Sequence, residues 1–310
     1  MTKHNRVAIL GIFVADLAFR ASRPPAIGET IIGSGFAMGP GGKGSNQAVA
    51  SARAGAHVAF ISKLGADSFG DIALKTWQAE GIETLVPQTT DNPTGAAYIF
   101  VNDRTGENAI IVVPGAAGTI SPEDIESARA SIETASVFVT QLEQPIPAAV
   151  RALEIARAAG VTTILNPAPA APLDRAIYAL CDYMTPNESE ASMLTGIEVV
   201  DIETARKAGD VLLSWGCGCA LITLGEKGSL FHSKEISEAI PVFSIGPAID
   251  TTGAGDAFNG GFAAALSRGM DPIAAARFGS ATAGISVTRS GTAPAMPTLA
   301  EIEALLATKA

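Results

Sequence analysis

GPGGKGSNQAVASARAG, residues 39–55, sets four glycines, a proline, one lysine and one asparagine in front of a run that reads as a helix. Glycine at this density either turns the chain or lets backbone amides come close to a ligand. The segment alone leaves both open. Two familiar nucleotide signatures are absent. A Walker loop needs glycine, four residues, Gly-Lys and then a hydroxyl residue. Here Gly44 follows Gly42-Lys43, and Ala37 stands at the first glycine position. A dinucleotide fingerprint needs G-x-G-x-x-G directly after a strand, and the first strand candidate ends near Gly11 with no such run behind it.

Around this segment the chain alternates. Strand candidates are Val7–Ile12, Val58–Ser62, Ser136–Thr140, Thr162–Asn166, Tyr183–Thr185 and Ala220–Leu224. Helix candidates are Asn46–Ala54, Gly70–Glu80, Ala148–Ala159, Ile202–Trp215, Ala254–Ser267 and Pro272–Thr288. Short apolar strands alternating with alanine-rich helices predict an α/β fold, a mostly parallel sheet covered by helices on both faces. Two regions break the rhythm. Phe19–Met38 and Gly95–Pro114 are strand-like, with glycine and proline and no helix, and residues 102–108 read as a hairpin turn between Ala96–Val101 and Ala109–Val113. They are expected to form a small separate sheet, a lid over the site; an antiparallel extension of the main sheet is the alternative.

The 310 residues carry 21 basic and 31 acidic side chains, a net charge of −10. Such a chain repels nucleic acid and anionic lipid, so neither is an expected partner. Apolar runs such as Val7–Leu10 and Ile110–Val113 are far too short to span a membrane. The opening MTKHNRVAILGIFVAD reads as a first buried strand, not a signal peptide. Cys181, Cys217 and Cys219 have no zinc-site spacing and read as buried thiols of a reducing cytoplasm, with Cys217-Gly218-Cys219 a weak redox hint. His4, His57 and His232 make no metal spacing.

A second glycine cluster, DTTGAGDAFNGG at residues 250–261, also opens a helix. Gly253 and Gly255 leave amides free to meet an oxyanion, where the helix dipole adds positive potential. Asp256 has two readings. Aspartate is common in a first turn as a capping residue. A carboxylate beside an anion hole would also serve as the base that takes a proton from an attacking hydroxyl.

GGKGSNQA near residue 42 and DTTGAGDAF near residue 253 together resemble the two signatures of the ribokinase-like (phosphofructokinase B-type) carbohydrate kinases. Asn166-Pro167-Ala168-Pro169-Ala170, TPNESEA at 185–191, Ile222-Thr223-Leu224-Gly225 and Val287-Thr288-Arg289-Ser290-Gly291 follow in the family's order. The similarity covers essentially the whole chain. It implies one ribokinase-like three-layer α/β/α kinase domain over residues 1–310 with a lid from about 13–38 and 95–114. It further implies transfer of the γ-phosphoryl of ATP to a pentose hydroxyl, D-ribose first, with 2-deoxyribose, another sugar or a nucleoside as alternatives.

The resemblance assigns roles residue by residue. Asp256 is the base, with Gly253, Ala254 and Gly255 as the anion hole. Gly41, Gly42, Lys43 and Asn46 hold the sugar, and Asp16 and Glu143 accept its hydroxyls. Asn187 and Glu190 organise Mg2+ and phosphates, a role compatible with Asn187 also capping a helix. Thr223, Gly225 and Gly228 line the nucleotide, with Ser280 near the adenine. Asp250, Thr252, Ser286, Arg289 and Gly291 match a K+ site built mostly of carbonyls. The lid commonly pairs two copies, so a homodimer is expected. Two positions depart from the family: Ala295 replaces a serine of the K+ site, and Val14 replaces an asparagine two residues before Asp16. Valine cannot hydrogen-bond, so a hydroxyl facing it would lack a partner, which costs about 1–3 kcal/mol. A sugar without that hydroxyl escapes the penalty. For a nucleoside, Phe13 and Phe36 are the candidate aromatic faces.

Overall fold

The computed structural model describes residues 5–308, so His4 lies outside the described residues. The opening apolar run forms the strand Arg6–Leu10, whose residues alternate between two cores. Val7 and Ile9 join one, with the helices Lys43–Arg53, Ser68–Ala79, Ala254–Ser267 and Pro272–Ser286. Ala8 and Leu10 join the other, with the helices Pro122–Ser127, Ile146–Ala158 and Ile202–Ser214. A strand that is apolar on both faces is what a sheet between two helix layers requires. The three-layer α/β/α expectation therefore holds.

The main sheet has nine strands. Their order is Ser237–Ile240, Ser229–Ser233, Cys219–Thr223, Tyr183–Met184, Thr162–Leu165, Val137–Thr140, Arg6–Leu10, His57–Ile61 and Glu83–Leu85. Neighbours are parallel except at the Ser229–Ser233 and Ser237–Ile240 edge, which pairs antiparallel. That hairpin, the short strand Glu83–Leu85 and the helix Leu299–Thr308 escaped the sequence reading, and the helix Glu188–Thr195 showed there only through its Asn187 cap. Their apolar patterns are too brief to show a period.

The lid region is a separate four-stranded sheet, in the order Gly35–Gly41, Val14–Ala21, Thr94–Asn102 and Asn108–Gly115. The alternative of an extension of the main sheet is thereby overturned. The strand-like reading of Phe19–Met38 is corrected as well. The first lid strand begins at Val14, residues 22–34 form no strand, and the second runs on to Gly41. Pro24 and Pro25 supply no amide hydrogen for a ladder in that gap. Along Val14–Ala21, Asp16 pairs with Gly39 and Ala97, while Leu17 pairs with Met38 and Tyr98. Adjacent residues face opposite sides of a strand. Asp16 is therefore on one side of the lid, and Phe19, Phe36, Met38, Tyr98, Ile111 and Val113 stand exposed on the other.

No helix among the described residues is long and apolar enough to cross a membrane. The three cysteines are buried and free, and burial pushes the Cys217 thiol up to about 12, which removes the redox hint.

Candidate active site

The site forms where the C-terminal ends of the parallel strands meet the lid and the starts of two helices. The 39–55 segment supplies the first helix. Gly42, at φ 91, is its N-cap, so the helix begins at Lys43 rather than at Asn46 as the sequence reading had it. The glycines here serve close approach. A Cβ on Gly44 would come within 2.6 Å of the Gly11 Cα at the end of the first strand, and one on Gly41 would collide with the Asp16 carboxylate. The Asp16 carboxylate thus lies directly over the loop. On the other side, Glu143 Oε2 accepts the Lys43 amide at 2.8 Å.

The second glycine cluster supplies the helix Ala254–Ser267. Its N-cap is Gly253, at φ 77 in the left-handed region, and no side chain caps the helix start. A Cβ on Gly255 would meet nothing within 4 Å. The Ala254 amide donates to Thr251 O at 3.2 Å and is not open, but the next first-turn amides, at Gly255 and Asp256, face this space, the arrangement that receives an anion. Gly260 allows the two helices to touch, since a Cβ there would press on Ala50 Cβ and on the Gln47 and Ser51 backbone.

This contact decides between the two readings of Asp256. Its side chain is no cap. It is only 6% exposed and turns toward the Lys43–Arg53 helix. Oδ2 accepts from Asn46 Nδ2 at 3.0 Å, and Oδ1 accepts from Gln47 Nε2 at 3.1 Å. The Asn46 Oδ1 is buried with no partner, an acceptor left free for a donor such as a hydroxyl. Gln47 was not singled out in the sequence. A glutamine inside a helix carries no signal of its own, and only its place beside Asn46 hinted at a role.

Four carboxylates and one lysine share this space. Burial, then the Asp256 charge, raises Asp16 to about 6. Burial raises Glu143 to about 7 against the opposing pull of Lys43. Burial likewise raises Asp256 and Glu190, while their charges hold the Lys43 ammonium firmly protonated. Groups with shifted titration gathered at one cleft mark a functional site.

Other expected residues lie around this centre. Asn187 caps the helix Glu188–Thr195 in a reciprocal box: its Oδ1 accepts the Glu190 amide at 2.8 Å, and Glu190 Oε2 accepts the Asn187 amide at 2.9 Å. Asn187 also forms an isolated bridge with Thr223. Gly225 and Gly228 both have positive φ in the turn after Thr223. Gly228 is packed against the Ile240 carbonyl. Ser280 is buried, and its hydroxyl donates to Pro241 O at 2.8 Å. Asp250 accepts from the Thr252 and Gly291 amides at 2.9 Å each, which joins the 250–252 loop to the 286–291 segment. The Ser286 carbonyl accepts the Arg289 amide at 3.0 Å, and Ala295 is buried nearby in a short 3-10 turn.

Val14 is almost fully buried, pairs with Gly41 and lies on the Asp16 side of the lid. The aromatic candidates for a nucleobase are not in place. Phe13 is buried edge-on against Trp77, and Phe36 is on the outer side of the lid. His57 is exposed at a strand start, and His232 is occupied by Ser237 and Asp210 far from this centre.

Residues 4–299 match the family described as pfkB family carbohydrate kinase. Over 301 residues the chain is 40% identical to the ribokinase of Staphylococcus aureus (strain COL), covering 96% of this chain and 98% of that protein. It is 35% identical over 302 residues to the deoxyribokinase of Salmonella typhi, covering 97% and 98%. A solved structure of Arabidopsis thaliana ribokinase complexed with ribose and ATP superposes with a TM-score of 0.91 at 28% identity, over 99% of each chain.

Proposed function

The chain belongs to the pfkB family of carbohydrate kinases, phosphotransferases with an alcohol acceptor, and from that premise we propose that it moves the γ-phosphoryl group of ATP onto D-ribose to give ribose 5-phosphate. The observation that carries this reading is Asp256, buried beside uncapped helix amides and held by two residues of the GGKGSNQA segment. Asp256 takes the proton of the attacking hydroxyl. The open amides of the Gly253–Gly255 turn receive the transferred phosphoryl group, the Ala254 amide exchanging its Thr251 partner for it, and Lys43 offsets its charge. Phosphoryl transfer passes through a loose transition state, so positioning and charge stabilisation carry most of the rate. Asp16, Glu143 and Asn46 hold the sugar, the last through its unpartnered Oδ1. The lid closes over them and excludes water.

Magnesium and potassium fit this reading. The Asn187 Oδ1 and one Glu190 oxygen are engaged in the helix cap, so these two residues suit a magnesium that keeps its waters. When bound, the ion neutralises phosphate charge. The Asp250 loop and the Ser286–Gly291 segment present oxygen donors side by side, as a monovalent cation requires. The Arg289 side chain pairs with Glu301, so only the backbone of this residue is offered to that site in our reading. Thr223, Gly225 and Gly228 border the nucleotide, and Ser280 acts there through packing. We place the enzyme in the cytoplasm on its buried free thiols, and we read the exposed lid face as the contact with a second copy.

One observation favours a second acceptor. Val14 offers no hydrogen bond on the Asp16 side of the lid, which favours 2-deoxyribose. A coupled ADP-release assay with magnesium and potassium, run on both sugars, tests the two readings. If Val14 sets the preference, Val14→Asn moves the kcat/KM ratio of ribose to 2-deoxyribose up by about tenfold or more, the worth of one buried hydrogen bond. An unchanged ratio removes Val14 from the argument, and no turnover on either sugar overturns the pentose acceptor.

A further inference from the structure

Behind Asp256 lies a run of buried amides that none of the expected roles uses. Gln47, Gln141, Asn166, Thr185 and Asn259 are all almost completely buried. Gln47 Nε2 donates to Asp256 Oδ1 and to Asn166 Oδ1, each at 3.1 Å. Gln47 Oε1 accepts from Gln141 Nε2 at 2.6 Å. Asn166 Nδ2 donates to Thr185 O at 2.9 Å. Thr185 Oγ1 donates to Asn259 Oδ1 at 2.6 Å, and Asn259 Nδ2 donates to Gly255 O at 2.8 Å. The Thr185 carbonyl can only accept, so Asn166 must present its oxygen to Gln47. An ionised Asp256 can also only accept, so Gln47 must present its nitrogen. Each amide thus has one permitted orientation, and the run joins the base to the backbone of the anion-hole turn.

We infer that Gln47 is a positioning residue for phosphoryl transfer: its locked amide holds the Asp256 carboxylate in the rotamer that faces the acceptor hydroxyl, in register with the Gly255 turn. The inference rests on Asp256 being the base. A neutral donor suits the task. Burial favours the protonated form of Asp256, and the Gln47 and Asn46 hydrogen bonds oppose it. The other charges facing Asp256 are Lys43, which favours the carboxylate, and Asp16, Glu143 and Glu190, whose charges repel it.

The test is a pH–kcat profile with saturating pentose and ATP for the wild type, Gln47→Met, Gln47→Glu and Asp256→Asn, with each melting temperature measured. Loss of the donor raises the Asp256 pKa, and the base must be ionised to act. The acid limb of kcat in Gln47→Met therefore moves up by about one pH unit, a fall of about tenfold on that limb that recovers at alkaline pH, with both KM values within about threefold. Gln47→Glu keeps the volume and the acceptor for Gln141 but sets a carboxylate against Asp256. It loses kcat by a similar factor, and it decides the matter if the methionine variant fails to fold. A profile of normal shape in whichever variant folds, while Asp256→Asn is inactive, overturns the inference alone. Full activity in Asp256→Asn overturns the reading of the base as well.

Discussion

The Asp16 and Glu143 carboxylates face the same space as Asp256, and their raised titration has consequences of definite sign. Both have folded pKa values above the ordinary carboxylate range, about 6 and about 7. The fold therefore binds their protons more tightly than the unfolded chain does. Their contribution to stability is present below about pH 4 and is lost as pH rises through 6 and 7. Sugar binding has the opposite sign, because hydroxyl donors favour the ionised form. We expect the pentose dissociation constant to fall as pH rises from about 5 to about 8, with proton release on binding. Calorimetric titration in two buffers of different ionisation enthalpy measures both. A constant affinity with no proton release would take Asp16 and Glu143 out of the sugar site.

At the element scale, the two glycine-led helix starts do different work. Gly41, Gly42 and Gly44 are glycines because the loop presses on Asp16, Ile12 and Gly11. Gly255 has no such constraint, since a Cβ there meets nothing in the protein and its φ is ordinary. Gly255→Ala should thus leave the fold intact and stabilise the helix by about 0.5–1 kcal/mol. The same methyl group enters the space in front of the first-turn amides. We expect kcat/KM for ATP to fall by about tenfold or more while the melting temperature is unchanged or rises. Thermal melts with steady-state kinetics separate the two effects, and an active, stabilised variant would refute the anion-hole reading. The sequence made both helix starts legible through glycine spacing, but it could not say which glycines answer to packing and which to a ligand.

For the whole molecule, the lid leaves a large apolar face without cover. Phe36 and Ile111 are 61% and 64% exposed, and the Phe19 ring lies tilted 5.0 Å from Phe36 and 5.7 Å from Tyr98. Contiguous apolar surface of this kind marks an interaction site, and two copies meeting through it would bury both faces. We expect a dimer by light scattering, and a monomer with a largely unchanged melting temperature when Phe36 and Ile111 are both changed to glutamate. A wild-type monomer at micromolar concentration would overturn the pairing.

By itself the sequence determined the α/β class, the sheet's central strands and the two glycine-led loops of the candidate site, because strand and helix periods and glycine-led helix starts are local. Only the tertiary structure decided that Asp256 is a held carboxylate and not a cap, that residues 22–34 belong to no strand, and that Gln47 and Asn166 stand behind Asp256. The reason is physical. Asp256 receives its donors from residues about two hundred positions away, through a helix contact that Gly260 permits. No local pattern encodes such a partner, because the pairing exists only once the sheet has brought the two helix starts together.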